Sequence, residues 1–541
     1  MNERLSGLVR IGLAFCICTT FVCLRAANAA APVAPFGDLE SYVQFVQNLH
    51  KAPFDRDGSL LPPGGAQALL KKQVAAREAR ASALATTSFR NVQVTQDRNP
   101  WPKAEVAAAI DPSSPGNWIV MSNDFRENFD KMFFHVSTDD GATWTDDAMT
   151  GGSDPFTGFI PSTFQSDPGL SFDSSTNSYL STLTGNLIID FISQYENLDT
   201  EVDVAQGLGN GTYASLAPTP IDIQPCNGVG AAFNCDATLD KPFVTTDSNA
   251  GSPRNGSTYV YYTLFCNSPG SGSCADGTVQ IPAGTSAIVV AHSPGPGQPF
   301  SAPELVSGSK LNAQFSSMVI DSAGVPHVFF DDFTNSPTIN MWEATLSGTK
   351  WVVAAKPTVS FVYHGIGNAN WAFRDAGSAA PGCTIHGLSA YCAFTANQIG
   401  SGKLETTPSV YVVAIHAPTA AVTYVTRVND DPFNDQKHHF FPWAAATPQG
   451  SVYVGWYDDR NDRFNTKVDY FVAKSVDLGK TFPKQQAVTD VNFNPCIGFP
   501  ACGFFGDYTQ LVSGPDGIIH AAWADTRDGV SMQIWSQVIT W

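Results

Sequence analysis

The spacing of apolar residues divides the chain into three stretches. A continuous apolar run from Ile11 to Leu24 comes first, and apolar positions at helical spacing, such as Leu39 and Val43, follow it to about residue 85. From about Phe89 onward, short runs rich in β-branched and aromatic residues alternate with clusters of Gly, Pro, Asn and Asp. The pattern predicts a short helical segment followed by a long all-β region.

The N-terminal apolar run has the features of an export signal. Arg4 and Arg10 precede it, and it ends close to Ala-Asn-Ala at positions 27–29, a small-x-small cleavage pattern. The run is too short to cross a bilayer, which takes about 20 apolar residues, and no later stretch reaches that length. We therefore expect a signal peptide over residues 1–29 and a helical leader or pro-segment over residues 30–88. We also expect a secreted protein, periplasmic or extracellular, with no membrane span.

The β-rich region contains a recurring unit. In each copy an acidic or polar residue opens a short apolar strand, an Asp/Gly turn follows, and a second, aromatic-rich strand ends in polar residues. Copies begin near Glu105, Asp167, Lys241, Phe315, Phe441 and Asp507, with a less regular copy around residues 388–395. Spacings on the order of 60 to 70 residues suit four-stranded blades with decorated loops. The units predict a β-propeller of six or seven four-stranded blades over residues 89–541, with no parallel α/β crossovers.

A local motif occurs twice in this region. Ser137 to Trp144 reads Ser-x-Asp-x-Gly-x-Thr-Trp, and Ser475 to Phe482 repeats it with Phe in the last place. The Asp carboxylate can accept backbone N–H groups, Gly permits a positive φ and the aromatic residue packs under the strand, so the motif is a folding element. It resembles the Asp-box, or BNR repeat, of the sialidase superfamily. The resemblance implies an exported propeller that acts on glycans, although Asp-boxes also occur in non-catalytic propellers.

The resemblance extends to single positions. Sialidases have an aromatic-Arg-Ile-Pro motif, of which Phe89-Arg90 matches the first two positions, so Arg90 corresponds to the first of three substrate-binding arginines. The family also uses a tyrosine nucleophile, and Tyr508 is the best-placed tyrosine in a late unit. These roles are implied by the resemblance alone.

Carboxylates recur at the opening of several units. Glu105, Asp167 and Asp507 share one register, and Asp240 is one residue away from it. Because innermost strands of a propeller converge on a central funnel, we expect these side chains to face one cavity. Paired carboxylates are the usual machinery of glycoside hydrolysis, so the three are candidate catalytic residues with Tyr508. The alternative is structural, in which each carboxylate binds a loop or a neighbouring blade.

Three arginines occupy equivalent places at the ends of second strands. Arg126, Arg460 and Arg527 each follow an Asp two residues earlier, in Asp-x-Arg. With Arg90 they are candidates for holding a substrate carboxylate, which guanidinium groups contact through two parallel hydrogen bonds. The favoured alternative is an ion pair between each arginine and its Asp that holds adjacent blades together.

Eight cysteines follow the predicted signal and fall as close neighbours. An even number in an exported chain predicts disulfides rather than zinc sites, whose CxxC spacings are missing from the sequence. The spacing favours four local bridges: Cys226–Cys235, Cys266–Cys274, Cys383–Cys392 and Cys496–Cys502.

Metal sites are not otherwise indicated. His438 and His439 are adjacent on a predicted strand and so point to opposite faces, which argues against a shared ion. The acidic loop Asn429–Asp435 offers oxygen ligands for a structural calcium, but it lacks EF-hand spacing. We therefore predict no cofactor and leave structural calcium as an alternative.

Composition narrows the partners. The 541 residues include 30 Lys and Arg against 49 Asp and Glu, a net charge of −19, and only 15% of residues are charged beside 43% hydrophobic ones. These values exclude a disordered chain or a coiled coil, and the negative balance disfavours nucleic acid and anionic membranes. We expect a monomer that meets an extracellular glycan or glycoconjugate.

Three functions remain open. The favoured one is an exported, sialidase-like glycoside hydrolase. A non-catalytic propeller that binds a glycan or a protein is the first alternative. A polysaccharide lyase, with Tyr or His as base beside an arginine, is the second.

Overall fold

The computed structural model describes residues 91–541 apart from 98, 127–129, 149–163, 186, 190–195, 208–218, 229–235 and 268–271. The predicted signal peptide, the predicted helical leader and Arg90 lie outside the described residues. Within them, no helix is long and apolar enough to cross a membrane.

Seven antiparallel sheets form seven blades, so the predicted all-β propeller is confirmed with the higher of the two blade counts. Each blade runs from an innermost first strand outward. Blade 7 includes the first strand of the chain, β1 (Val92–Gln93). Blade 1 contains β2 (Lys103–Ile110), β3 (Trp118–Asp124), β4 (Lys131–Ser137) and β5 (Thr145–Ala148). Blade 2 contains β6 (Phe164–Phe172), β7 (Ser178–Gly185), β8 (Leu187–Ile189), β9 (Glu196–Gly207) and β10 (Thr219–Gly228). Blade 3 contains β11 (Ala237–Thr246), β12 (Thr258–Cys266), β13 (Ser273–Asp276), β14 (Val279–Pro282), β15 (Thr285–Ser293) and β16 (Glu304–Leu305).

The remaining blades repeat the plan with small additions. Blade 4 contains β17 (Ala313–Ile320), β18 (Pro326–Asn335), β19 (Thr338–Ser347), β20 (Lys350–Val353) and β21 (Val359–Val362), and β24 (Gln398–Ile399) pairs with β21 in the same sheet. Blade 5 contains β22 (Gly382–His386), β23 (Ser389–Ala396), β25 (Ser409–His416) and β26 (Ala421–Arg427). Blades 6 and 7 contain β27 (His439–Ala446), β28 (Val452–Asp458), β29 (Asp469–Ser475) and β30 (Lys484–Ala487); and β31 (Gln510–Ser513), β32 (Ile519–Asp525) and β33 (Gln533–Ile539). Helix in the described chain consists of short 3-10 turns: Ala376–Ser378, Ala417–Thr419 and Pro500–Cys502.

The ring is closed by the two ends of the described chain. Strand β1 pairs antiparallel with β33, with Val92 opposite Ser536 and Gln93 opposite Trp535. Asn91 adds hydrogen bonds from its side-chain amide to the Val488 carbonyl and to Gln537. Blade 7 is thus completed by a segment that precedes blade 1, which ties the first and last blades together.

Five of the seven innermost strands have a β-bulge near their starting ends. The residue at the bulge has a positive φ in five blades: Glu105, Asp167, Lys241, Phe315 and Phe441. These are the residues that open the sequence repeats, so the repeat register marks the bulges. Bulges re-aim the side chain of the extra residue, and here they lie at the end of the ring where the innermost strands begin. We call that end the entry face, because the loop entering each blade also lies there.

Aromatic side chains fill the spaces between neighbouring blades. Tyr470 in blade 6 stacks on Trp523 in blade 7 with ring centroids 5.1 Å apart and planes 5° from parallel. Tyr457 in blade 6 donates its hydroxyl hydrogen to the Ala524 carbonyl of blade 7. The abundant aromatics therefore serve contacts between sheets, where each ring contributes a large buried area.

The two Ser-x-Asp-x-Gly-x-Thr-aromatic segments form the same turn between third and fourth strands. In the first, the Asp139 carboxylate accepts hydrogen bonds from the Thr143 N–H and hydroxyl at 2.8 and 2.6 Å. Asp477 accepts the equivalent pair from Thr481 at 2.9 and 2.7 Å. Both turns lie on the face opposite the entry face, so they stabilise blades away from any site there.

Three of the four predicted disulfides are confirmed: Cys266–Cys274, Cys383–Cys392 and Cys496–Cys502. Cys383 and Cys392 are directly opposite each other on β22 and β23. The fourth predicted pair, Cys226–Cys235, lies outside the described residues because Cys235 does.

A substitution at Gly141 would test the packing of the turn between β4 and β5. Gly141 has a φ of +79°, and a Cβ added there would lie 2.9 Å from the Trp118 ring. We expect Gly141→Ala to lower the free energy of unfolding by about 1–3 kcal/mol more than Gly348→Ala, since overpacking adds to the cost of a left-handed alanine. Gly348 also has a positive φ but meets open space. Chemical denaturation of both variants measures the difference, and equal losses would contradict the packing argument.

Candidate functional site

Carboxylates from three blades meet around one ammonium group at the entry face. Lys241 Nζ in blade 3 lies 2.9 Å from Glu105 Oε1 in blade 1, 2.9 Å from Asp167 Oδ1 in blade 2 and 2.7 Å from Asp507 Oδ2 in blade 7. The four side chains are only 1 to 5% exposed. The structure thus brings together the three carboxylates that share a sequence register, and we call these four residues the central cluster.

Asn123 completes the cluster between blades 1 and 2. Its side-chain amide donates to Glu105 Oε2 at 2.7 Å, and its oxygen accepts the Asp167 N–H at 2.9 Å. Asn123 lies on β3 next to the bulge of β2. The bulged backbone of one blade is therefore fixed by a side chain of the blade before it.

A second cation reaches the cluster from the loop that enters blade 5. This loop, residues 363–381, is called the plug loop. Its Arg374 donates through Nε to Asp507 Oδ1 at 2.9 Å and through Nη2 to Oδ2 at 2.5 Å, and Nη2 lies 3.7 Å from Glu105 Oε1. The Arg374 side chain is 20% exposed, more than any member of the cluster, so it lies between the carboxylates and solvent.

Sequence reasoning missed two of these groups. Lys241 was recognised as the opening residue of a repeat, and its place in the acidic register was the available signal. Arg374 lies in an irregular connection that has no repeat, so its position depends on a loop path that periodicity does not report.

The environment shifts the pKa values of the three carboxyl groups of the cluster in different directions. Burial raises the pKa of Glu105 well above its ordinary value, and although Lys241 opposes this, the charges of Asp167 and Asp507 add to it. Burial also acts on Asp507, but the charges of Arg374 and Lys241 outweigh it and lower the pKa to about 2. The pKa of Asp167 is lowered in the same way, against burial, by Lys241 and by a hydrogen bond with Glu105. The environment thus favours the protonated form of Glu105 and the ionised forms of Asp167 and Asp507.

Two further buried carboxyl groups surround the cluster. Burial raises the pKa of Asp240 to about 8 against the opposing charge of Lys241, and it raises that of Asp130 well above its ordinary value with help from Asp167. These shifts favour the neutral forms of Glu105, Asp130 and Asp240, whereas the ionised Asp167 and Asp507 are paired with Lys241 and Arg374. Buried charges are tolerated where they are paired in this way.

The arginines of the Asp-x-Arg segments lie elsewhere on the entry face. Each binds the Asp two residues before it and a carboxylate on the loop that enters its own blade. The pairs are Arg126 with Asp124 and Asp97, Arg460 with Asp458 and Asp431, and Arg527 with Asp525 and Asp490. They fasten entry loops to second strands, and the ion pairs with the Asp two residues earlier are those that the sequence spacing favours. Arg374, rather than these three, contacts the central cluster.

Tyr508 lies beside the cluster, and its hydroxyl is directed at a backbone carbonyl. Its hydroxyl donates to the Pro168 carbonyl at 3.4 Å, and its ring centre is 5.5 Å from Lys241 Nζ. Burial raises its pKa well above the ordinary value, with the charges of Glu105 and Asp167 adding to the effect. A tyrosine nucleophile needs the opposite change, because the reactive form is the phenolate.

Each histidine of the adjacent pair contacts its own carboxylate, and the carboxylate of His439 belongs to the acidic loop. His438 Nδ1 lies 2.6 Å from Asp459, whereas His439 Nε2 lies 3.3 Å from Asp431 of the loop. The two imidazoles thus have different partners, as expected for adjacent strand residues. In the described chain no group of three or more His, Cys, Asp or Glu side chains is arranged to hold a metal ion.

Comparisons with known proteins give distant structural similarity only. No protein-family model matches the sequence, and no curated protein matches it. A protein of unknown function from Dyadobacter fermentans is 10% identical with a TM-score of 0.40, over 69% of this chain and 94% of its own. A Hadza microbial sialidase, Hz136, is 10% identical with a TM-score of 0.39, over 76% and 73%. An α-L-arabinanase from Penicillium chrysogenum is 10% identical with a TM-score of 0.38, over 84% and 98%. Similarity at this level transfers no activity or substrate.

Removing the central cation tests what holds the blades together. We expect Lys241→Met to lower the free energy of unfolding by about 3–5 kcal/mol, because carboxylates of three blades lose their shared partner while buried. Lys350→Met, at an exposed position on β20, is the matched control and should cost far less. Denaturation at neutral pH gives both values, and a Lys241 variant as stable as the control would contradict a central role for the ammonium.

Stability should fall as pH rises from about 4 to 8. Across this range the folded protein keeps a proton on Asp240, whose pKa is raised to about 8 by burial, while the unfolded chain has lost it. The stabilisation is complete below the ordinary pKa of an aspartate and disappears as pH passes the raised value. Asp240→Asn should flatten this part of the pH profile of the melting temperature. Asp236→Asn, at an exposed position, should not, and a profile unchanged by both would count against the assignment.

Proposed function

We propose that this propeller is an exported glycoside hydrolase that uses the central cluster on an extracellular glycan. The proposal depends on one observation. Glu105 of blade 1 and Asp507 of blade 7 lie close together, and the pKa of Glu105 is raised while that of Asp507 is lowered. Glycosidases need one carboxyl group that is protonated and one that is ionised at the same pH. Environments that push two neighbouring carboxyl groups apart in pKa supply that pair.

Glu105 is the proposed proton donor to the leaving oxygen, and Asp507 is the proposed ionised partner. Their nearest oxygens both lie within 2.9 Å of Lys241 Nζ, so they are less than about 6 Å apart. That spacing fits a retaining reaction, in which the second carboxylate attacks the sugar, better than an inverting one, which needs room for a water molecule. Asp167 is ionised at a similar distance from Lys241 and supports the charge of the site.

The cations have two roles in this proposal. Lys241 keeps Asp167 and Asp507 ionised, and it holds them beside a protonated Glu105. Arg374 covers the carboxylates from the solvent side, so a sugar reaches Asp507 only after the guanidinium moves away. Substrate entry therefore includes displacement of the plug loop, a step of the kind that lids perform in many enzymes.

Several sequence candidates have no part in the proposed reaction. Tyr508 is left out because its pKa is raised and its hydroxyl points to a backbone carbonyl. Arg126, Arg460 and Arg527 already bind carboxylates of the protein itself. The proposed roles need only protein side chains.

Export is proposed on the basis of the disulfides. Three bridges are formed in the described chain, and disulfides persist mainly in oxidising compartments. The predicted signal peptide agrees with this proposal, and finding the chain in an exported fraction after removal of its first residues would test it.

A second candidate function is supported by the burial of the cluster. Every carboxylate in it already has a cation, and the plug loop covers them, as expected if the cluster only ties blades together. The propeller would then be a non-catalytic module that presents its loops to a glycan. The two functions differ in whether Glu105 and Asp507 affect turnover.

Hydrolysis of a panel of aryl glycosides, including sialic acid and arabinofuranose conjugates, tests the proposal. We expect at least one member to be hydrolysed, and we expect Glu105→Gln and Asp507→Asn to lower kcat/KM by about 10²–10⁴-fold. Glu304→Gln, a partly exposed carboxylate on β16, should leave it unchanged. The rate of the wild type should fall at high pH as Glu105 loses its proton, and Glu105→Gln should remove that limb.

The outcomes separate the two functions. A folded wild-type protein that hydrolyses nothing on the panel, or a Glu105→Gln variant with full activity, rules out the proposed reaction. Glycan binding that survives both substitutions would then favour the non-catalytic module.

A further inference from the structure

The plug loop is held in place by contacts with two other blades. Asn368 and Asn370 donate their side-chain amides to the Asn465 carbonyl of blade 6 at 2.9 and 3.0 Å. The Trp371 ring packs on Phe440 of blade 6 with centroids 5.4 Å apart. These contacts carry the loop across the entry face toward Arg374 and the cluster.

The far side of the loop lies against the Cys496–Cys502 disulfide. The Ala372 N–H points to Cys502 Sγ at 3.5 Å, and Cys496 Sγ lies 3.5 Å from the Asn370 carbonyl oxygen. The disulfide therefore contacts the loop within four residues of Arg374, on both sides of Trp371.

The segment closed by this disulfide also supports the arginine itself. It leads directly to Phe504, whose ring centre is 4.8 Å from the Arg374 guanidinium carbon, and then to Asp507. Phe499, inside the closed segment, packs edge-on against Phe504 with centroids 5.1 Å apart. Both the Arg374 side chain and its carboxylate partner thus depend on the shape of one short segment.

Among the described disulfides, Cys496–Cys502 is the most exposed to solvent. Cys496 and Cys502 are partly exposed, whereas Cys266 and Cys274 are 1% and 4% exposed. The Cys383–Cys392 bridge is buried between paired strands of blade 5. Thiol–disulfide exchange requires in-line approach of a thiolate to a sulfur, so accessibility selects which bridge reacts first.

We propose that the Cys496–Cys502 disulfide is a reducible latch that keeps Arg374 over the central carboxylates. A dithiol reductant transfers two electrons and two protons, so that Cys496 and Cys502 become two thiols and the reductant becomes a disulfide. The segment between the cysteines then loses its closure constraint and gains conformational freedom. The contacts to Asn370 and Ala372 weaken, and Arg374 leaves Asp507 in a larger fraction of molecules, as a local opening. The latch concerns access to the cluster and is independent of whether the cluster hydrolyses glycans.

The test treats the native full-length chain with low concentrations of dithiothreitol. Alkylation and peptide mass spectrometry identify which cysteines react, and amide hydrogen exchange is followed over residues 364–374. We expect Cys496 and Cys502 to be alkylated before the cysteines of the other two described bridges, and we expect exchange in the plug loop to rise at least about tenfold while strands β12 and β23 are unchanged. Removing the reductant under oxidising conditions should restore the slow exchange.

A matched pair of variants gives a second readout. The double substitution Cys496→Ser with Cys502→Ser should open the plug loop without reductant, and carbodiimide labelling of Asp507 should rise severalfold. Cys383→Ser with Cys392→Ser should leave both quantities unchanged. If that control fails to fold, the dithiothreitol measurement on the wild type decides alone.

Three results would overturn the latch. They are unchanged exchange in residues 364–374 when Cys496 and Cys502 are fully alkylated, earlier reaction of a buried bridge, and an increase in exchange that spreads over the whole propeller. The glycoside panel is scored separately. If no glycoside is hydrolysed but reduction still opens the plug loop, the hydrolase is rejected and the latch is kept. If glycosides are hydrolysed at a rate that reduction does not change, only the latch is rejected.

Discussion

The arrangement of the entry face depends on one ammonium group. Lys241 has carboxyl groups of blades 1, 2 and 7 within 2.9 Å, so a single side chain of blade 3 joins three other sheets. A buried carboxylate without a cation would cost several kcal/mol, and three together would repel one another as well. Burial, blade order and the distribution of protons over the cluster are consequences of satisfying these charges around one nitrogen.

The bulges explain how residues so distant in the chain reach that nitrogen. Five of the innermost strands place an extra residue with a positive φ near their starting ends, and three of these residues are Glu105, Asp167 and Lys241. Strain of this kind persists where surrounding contacts fix it, and Asn123 provides such contacts between blades 1 and 2. A general feature of the blades is used here to bring together charged side chains.

Most of the fold could be predicted from the sequence, because the repeats mark the bulges and the turns between strands. The register that aligns Glu105, Asp167 and Asp507 also predicted their convergence, since equivalent positions in a closed ring face one axis. The cation at the centre escapes prediction, because recurring acidic residues define the register and Lys241 breaks that pattern. Arg374 could not be placed, because its position follows from the path of an aperiodic loop that contacts blades 6 and 7. The entry-loop partners Asp97, Asp431 and Asp490 escaped prediction for the same reason.

Closure of the ring by β1 has a consequence for how the protein is made. Val92 accepts a hydrogen bond from Ser536, 444 residues later, so the last blade is incomplete until both ends of this region are present. Strand β1 has no partner until β33 of blade 7 has been synthesised. Because the two strands are so far apart in sequence, their pairing has a large loop-closure cost. Folding of the complete ring is therefore expected to be slow, and a chaperone that shields sheet edges would increase its yield.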